Sequence, residues 1–363
     1  MKKTRAVILT AVILLYLFGL AMMLHLLPDR AVSRAERRRL EQRPALSLNS
    51  FLSGDYAGNL EKYFLDQFPF RDGWRTIQAE LRFNVLRRLD SNGVYIREGS
   101  FSRLEYPLAE RQVIYAAEKI NSVIETYLTD SEVRYAVVPD KNYFMAGDYP
   151  HLDYGKMFGI LDGIITAPRV DLTPYLKLED YYRTDSHWRQ ECILPVAQAL
   201  ADAFEPGVSL TPQTGFEEET LSPFYGVFCG QAALNAEPDV LTFLRSPAID
   251  AATMSGLEMK DNQSVYTLDR FNGMDGYDIF CGGTQPIVTI ESPLSQTDRE
   301  LVLFRDSFGS SLAPLLLEGY RRVTLVDLRY VAGGLLDRYI DFHGQDVLFL
   351  YSTTLLNSGM LLK

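Results

Sequence analysis

Two short stretches carry side chains whose types and spacing suit acid–base and nucleophilic chemistry. In TDSHW, residues 184–188, Asp185 stands two positions before His187, and Trp188 follows. In FRDSFGSS, residues 304–311, Ser307 falls where an apolar run meets a Gly- and Ser-rich start of a helical pattern. An imidazole can take the proton of a serine hydroxyl, and a nearby carboxylate can fix the tautomer that lets it do so. A serine at the carboxyl edge of a sheet sits where backbone N–H groups of the next helix can hold a developing oxyanion. Each stretch also has a structural reading. Thr184, Asp185 or Ser186 would cap a helix over HWRQECILPVAQALADAF, placing His187 near its positive dipole end, and Asp306 with Ser307 would cap the helix after them.

Other chemistry finds less support. His151, after GDYP, and His343, in DFHGQD, read as loop residues. Cys192, Cys229 and Cys281 have no CxxC spacing, so neither a zinc knuckle nor a redox dithiol is expected. No metal and no cofactor is expected.

The elements that must position the two stretches follow from periodicity. ERQVIYAAEKINSVIETYLTD, from Glu110, puts Val113, Ala117, Ile120, Ile124 and Tyr127 on one helical face, and SEVRYAVVPDKNYF reads as a strand ending at Pro139. ELVLFRDSF, RRVTLVDLRY and QDVLFLYS read as strands, with GSSLAPLLLEGY and AGGLLDRYI as the helices between them. Helices alternating with short apolar strands predict an α/β fold, a three-layer sandwich around a mostly parallel sheet. Residues 205 to about 298 are richer in Gly, Pro, Asn and Thr and read as a β-rich insertion.

The first thirty residues are of another kind. Ala6 to Leu27 carry no charged side chain, a length that suits one bilayer crossing, and no small-residue cleavage site closes the run. Residues 1–28 are therefore expected to be an uncleaved anchor, 29–75 a juxtamembrane segment with a short amphipathic helix packing back on the folded domain, and 76–363 that domain. Basic residues flank the span on both sides, and the long domain after it places the protein at the cell membrane, single-pass, with the domain extracytoplasmic. Through residue 43 there are nine basic and three acidic side chains, leaving 27 basic against 44 acidic in the rest. So acidic a domain repels nucleic acid, whereas the arginines after the anchor suit lipid head groups.

With these stretches in place the chain resembles the DHHW family of bacterial surface proteins, itself similar to the alginate O-acetyltransferase proteins of the SGNH hydrolase-like superfamily. The matching pieces are DQFPFRD (66–72), VVPDKNYF (137–144), TDSHWR (184–189), SPFYG (222–226), FRDSFGSSLAPLL (304–316) and VDLRY (326–330). The resemblance implies Ser307 as nucleophile, His187 as base and Asp185 as the orienting carboxylate, with the Ser307 N–H as one oxyanion donor. Ser186 stands where the family motif has its second His. Asn142, Arg329 and Tyr330 are candidates for the second donor, and Lys141 and Arg305 for substrate contacts or for pairing with the acidic surface. The activity implied is an O-acetyltransferase or esterase acting on a cell-surface glycan, with a multipass membrane acyltransferase as partner. The alternative is a non-catalytic carbohydrate-binding or assembly protein of the cell envelope that uses the aromatic-rich surface for sugar stacking.

Overall fold

The computed structural model describes residues 2–363 apart from 146, 148, 208, 211–214, 260 and 261, the last seven of which fall in the expected insertion. The chain forms two compact units, one of residues 1–92 with 229–235 and the other of 93–228 with 236–363.

In the first unit, α1 (Lys2–Leu26) contains the 23-residue stretch Thr4–Leu26, apolar enough to cross a membrane and packed against nothing. A short helical turn, Leu48–Leu52, and two longer helices follow, α2 (Asp55–Gln67) and α3 (Arg71–Glu80), the latter running on into a π-helical turn, Leu81–Val85. Pro69 separates them, because a proline has no N–H to continue the first and restricts the residue before it. Asp66 fastens this unit. Its carboxylate accepts from Arg38 and from the Glu41 N–H at 2.9 Å.

The second unit is built around α4 (Glu110–Tyr127), α5 (Tyr154–Ile164), α6 (Leu194–Asp202) and α7 (Phe308–Leu316). The eight strands of its main sheet are β1 (Val133–Val138), β2 (Arg169–Val170), β3 (Thr253–Gly256), β4 (Gln263–Ser264), β5 (Ile287–Glu291), β6 (Glu300–Arg305), β7 (Arg322–Val326) and β8 (Asp346–Ser352). They lie in the order β4–β3–β5–β7–β6–β8–β1–β2. From β7 to β2 the neighbours are parallel, while β5, β3 and β4 extend the sheet antiparallel. Successive strand residues face opposite ways, and the core divides accordingly. Leu301, Leu303, Leu348 and Leu350 pack toward Val196 and Leu200 of α6 and Leu312 of α7. Val302, Phe304, Val347 and Phe349 pack toward Val113 and Ile120 of α4 and Met157 of α5. This is the three-layer α/β sandwich expected from the sequence.

Two local readings change. The expected insertion is β-rich but not separate, because β3, β4 and β5 hydrogen-bond into the main sheet. The helix expected to start at His187 starts instead at Leu194, with Pro195 in its first turn. Proline is accommodated at a helix start and breaks a helix interior, so residues 184–192 cannot be one helix with 194–202. His187 therefore has no helix dipole behind it.

Candidate active site

Ser307 lies just past β6, whose two-sided burial explains its unbroken apolar run. Asp306 organises the turn: one carboxylate oxygen accepts the Phe308 N–H at 3.1 Å, and the other accepts the Ser352 N–H at the end of β8 at 2.8 Å. Asp306 is thus the capping side chain of α7, while Ser307 makes no side-chain cap bond and its hydroxyl is left for other use. Gly309 is required by close approach, since a Cβ there would lie 2.6 Å from Arg305 Cβ. Pro314 cannot donate to the Ser310 carbonyl four residues back, and that oxygen instead faces Cys281 Sγ at 3.3 Å. Burial pushes the Cys281 thiol up to about 12, so this cysteine is an inert packing residue.

His187 arrives on a tight hairpin rather than on a helix. Arg189 N–H donates to the Asp180 carbonyl at 2.7 Å and Tyr182 N–H to the His187 carbonyl at 3.1 Å. Residues 183–186 form the tip, and its polar groups are satisfied from several directions. Asp239 accepts the N–H groups of Arg183 at 3.0 Å and Thr184 at 2.8 Å, along with the Thr184 hydroxyl at 2.6 Å. The Lys141 ammonium donates to the carbonyls of Tyr182, Arg183 and Asp185 at 2.8, 2.9 and 3.3 Å. Gly226 N–H donates to the Thr184 hydroxyl at 2.9 Å, and a Cβ on Gly226 would stand 2.3 Å from the Thr184 carbonyl. That contact gives the SPFYG stretch a physical reason for its final glycine.

The two stretches meet. His187 Nδ1 lies 2.6 Å from Asp185 Oδ1, which also accepts the His187 N–H at 3.1 Å, and Asp185 Oδ2 accepts the Val227 N–H at 2.8 Å. His187 Nε2 lies 2.7 Å from Ser307 Oγ. Asp185 is fully buried, His187 nearly so, and Ser307 half-buried. With Nδ1 protonated toward the carboxylate, Nε2 is an acceptor aimed at the serine hydroxyl. Such an arrangement can move a proton from Ser307 to His187 while Asp185 balances the charge formed on the ring.

A second set of residues holds the imidazole in place. The Tyr277 ring stacks on it at 3.8 Å between centroids and 8° between planes. Tyr277 Oη and Trp188 Nε1 both donate to Ser311 Oγ on α7, at 2.7 and 2.8 Å. Burial pushes the Tyr277 hydroxyl well above its usual range, keeping it a donor. Gln190 spans the Ser311 carbonyl and the Leu244 N–H, each at 2.7 Å. Tyr277, Ser311, Gln190 and Asp239 were not singled out in the sequence. They lie in ordinary polar and aromatic contexts, and only their spacing in three dimensions marks them.

The remaining candidates are distributed more widely. Lys141 and Arg305 are each 1% exposed, so neither reaches an acidic surface. Lys141 holds the hairpin tip, and the Arg305 guanidinium donates to the Gly283 carbonyl at 3.3 Å. Arg329 forms a two-pronged pair with buried Asp327, at 2.9 and 2.6 Å, and Tyr330 beside it is half exposed. Asn142 is fully buried, accepts the Tyr95 hydroxyl and donates its own N–H to Asp140 at 2.8 Å. Among the described residues no group of three or more His, Cys, Asp or Glu is arranged to hold a metal ion.

No protein-family model matches the sequence, and no curated protein matches it. Solved structures do. A DHHW family protein from Eubacterium siraeum superposes with a TM-score of 0.60 at 22% identity, over 75% of this chain and 94% of that one. PatB1 of Bacillus cereus superposes with a TM-score of 0.59 at 15% identity, over 74% of this chain and 98% of that one. A second structure of PatB1, with a sulfonyl adduct, gives 0.57 at 14% identity over the same shares. This chain shares their fold.

Proposed function

We propose that this protein is a membrane-anchored, extracytoplasmic serine O-acyltransferase or esterase acting on a cell-surface polysaccharide. The observation that carries the reading is the unbroken chain Asp185–His187–Ser307, with contacts of 2.6 and 2.7 Å. In the first half-reaction Ser307 Oγ attacks the acyl carbonyl and its proton passes to His187 Nε2. The tetrahedral intermediate collapses to an acyl-serine as His187 returns the proton to the leaving group. In the second half, a sugar hydroxyl or water gives its proton to His187 and attacks the acyl-serine, restoring the serine. The Ser307 N–H, at the start of α7, supports one arm of an oxyanion hole.

The substrate class rests on the resemblance to the alginate O-acetyltransferase proteins, and so does a multipass membrane acyltransferase as donor partner. The anchor Thr4–Leu26 supports a site held close to such a partner. The fold shared with PatB1, which is known with a sulfonyl adduct, supports an electrophilic probe as the test.

That test is labelling of the detergent-solubilised full chain with a fluorophosphonate or a sulfonyl fluoride. Wild type is expected to label once, at Ser307, and both Ser307→Ala and His187→Ala to lose the label. A folded wild type that stays unlabelled would leave glycan binding without catalysis as the better reading.

A further inference from the structure

The helix formed by α3 and its π turn has an apolar stripe facing outward. Phe70, Trp74, Ile77, Leu81 and Val85 recur at helical spacing and are all exposed, Ile77 by 60% and Val85 by 67%. The π turn, closed by the Leu86 N–H on the Leu81 carbonyl at 2.9 Å, brings Leu86 back onto the same side as Leu81. The opposite face is the one that packs: Ala79 is buried, and Arg71 and Arg75 turn inward to Glu36 at 3.2 and 3.6 Å. The helix after Pro69 is therefore amphipathic with its apolar face uncovered.

Its position relative to the anchor is defined within the unit. Arg30, four residues beyond the end of α1, pairs with Asp72 in the first turn of α3 at 2.8 Å. Asp29 accepts the Tyr63 hydroxyl at 2.9 Å, and Gln67 accepts the Arg30 N–H at 2.9 Å. The point at which the apolar span ends is thus tied directly to the start of the exposed stripe. Charge points the same way. Residues 1–92 hold fifteen basic and nine acidic side chains, in a chain with 36 and 47 overall. Arg82, Arg87 and Arg88 are exposed along and just after the stripe.

We propose that this helix lies in the interface of an anionic bilayer, with Trp74, Ile77, Leu81 and Val85 inserted and the nearby arginines on lipid head groups. The proposal rests on the reading of Thr4–Leu26 as a retained anchor. An apolar helix face with flanking arginines settles about 5–10 Å into the boundary between head groups and acyl chains, and tryptophan favours that depth. The helix would act as a second foot beside the span, limiting the tilt of its unit against the membrane.

The chain has two tryptophans, and Trp188 is fully buried in the folded core, so Trp74 is a built-in probe. The full chain is reconstituted into vesicles of phosphatidylcholine with phosphatidylglycerol, with and without bromine on the acyl chains. Brominated lipid is expected to remove the Trp74 emission from wild type and to leave the emission of Trp74→Phe unchanged. A double variant, Ile77→Asp with Leu81→Asp, is expected to float with the vesicles through its anchor yet keep its Trp74 emission. A chain that floats while Trp74 stays unquenched overturns the interfacial helix and leaves the anchor standing. That result would assign the stripe to a protein partner or a second copy. A chain that does not float removes the anchor and the proposal with it.

Discussion

Replacing Asp185 by Asn separates the positioning of His187 from its charge balance. The carboxylate accepts three N–H groups: the His187 ring, the His187 backbone and the Val227 backbone. An amide can accept on one side only. If its oxygen faces His187, the NH2 group meets the Val227 N–H; if it is turned round, it meets the His187 N–H. Either way one buried donor is orphaned, at a cost of about 1–3 kcal/mol. The turned form also donates to Nδ1, forcing the proton onto Nε2, where the ring can no longer take the serine proton. In both forms the imidazolium generated at the transition state loses its counter-charge. Opposite charges about 4 Å apart in a partly screened site attract by about 4 kcal/mol, which corresponds to about a 10³-fold loss of rate. The assay is the second-order rate of fluorophosphonate labelling, with chromogenic acetyl-ester turnover beside it, on full-length chain of matched thermal stability. Asp185→Asn is expected to slow both by about 10³-fold while leaving a folded protein. Rates within a few fold of wild type would refute the role given to this carboxylate.

Two further outcomes test the supports around the site and the anchor-proximal unit. Gly226→Ala places a Cβ 2.3 Å from the backbone of Thr184 and Asp185; it is expected to cost about 1–3 kcal/mol, read as a lower Tm, and to slow labelling by displacing the hairpin tip. Unchanged Tm and labelling would show that the tip does not need this approach. In the first unit, the hydrogen bond from Arg38 holds the Asp66 carboxyl down, to about 2. Because the folded value is depressed, its stabilisation is present above the ordinary carboxylate range of about 4 and is lost as pH falls from there toward about 2. Hydrogen exchange at the Glu41 amide, corrected for its intrinsic rate, should show protection fading over that window in wild type. In Asp66→Asn it should be weak and flat, and equal profiles would dismiss the coupling.

The layered α/β fold was legible because each central strand is apolar on both sides and the helices α4, α5 and α6 on one, and burial of those faces leaves few alternatives. The Ser307 turn was legible for the same reason: a two-sided strand must end where Arg305, Asp306 and Ser307 stand. The hairpin carrying His187 was misread as a helix start, since TDSHW has good capping residues and the constraint from Pro195 acts eight positions later. That the β-rich stretch joins the main sheet was not legible, because β5 and β3 are added to it by pairing beyond β7, with partners distant in the chain. For Tyr277, Ser311, Gln190 and Asp239, local sequence carries no signal, as each serves a residue distant in the chain. What the sequence determined by itself, then, is the four central strands β1, β6, β7 and β8, the apolar span and the three residue types in Asp185, His187 and Ser307. Tertiary structure alone decided that His187 Nε2 stands 2.7 Å from Ser307, 120 positions away in the chain, because that distance depends on loops whose polar groups are satisfied only after the sheet has closed.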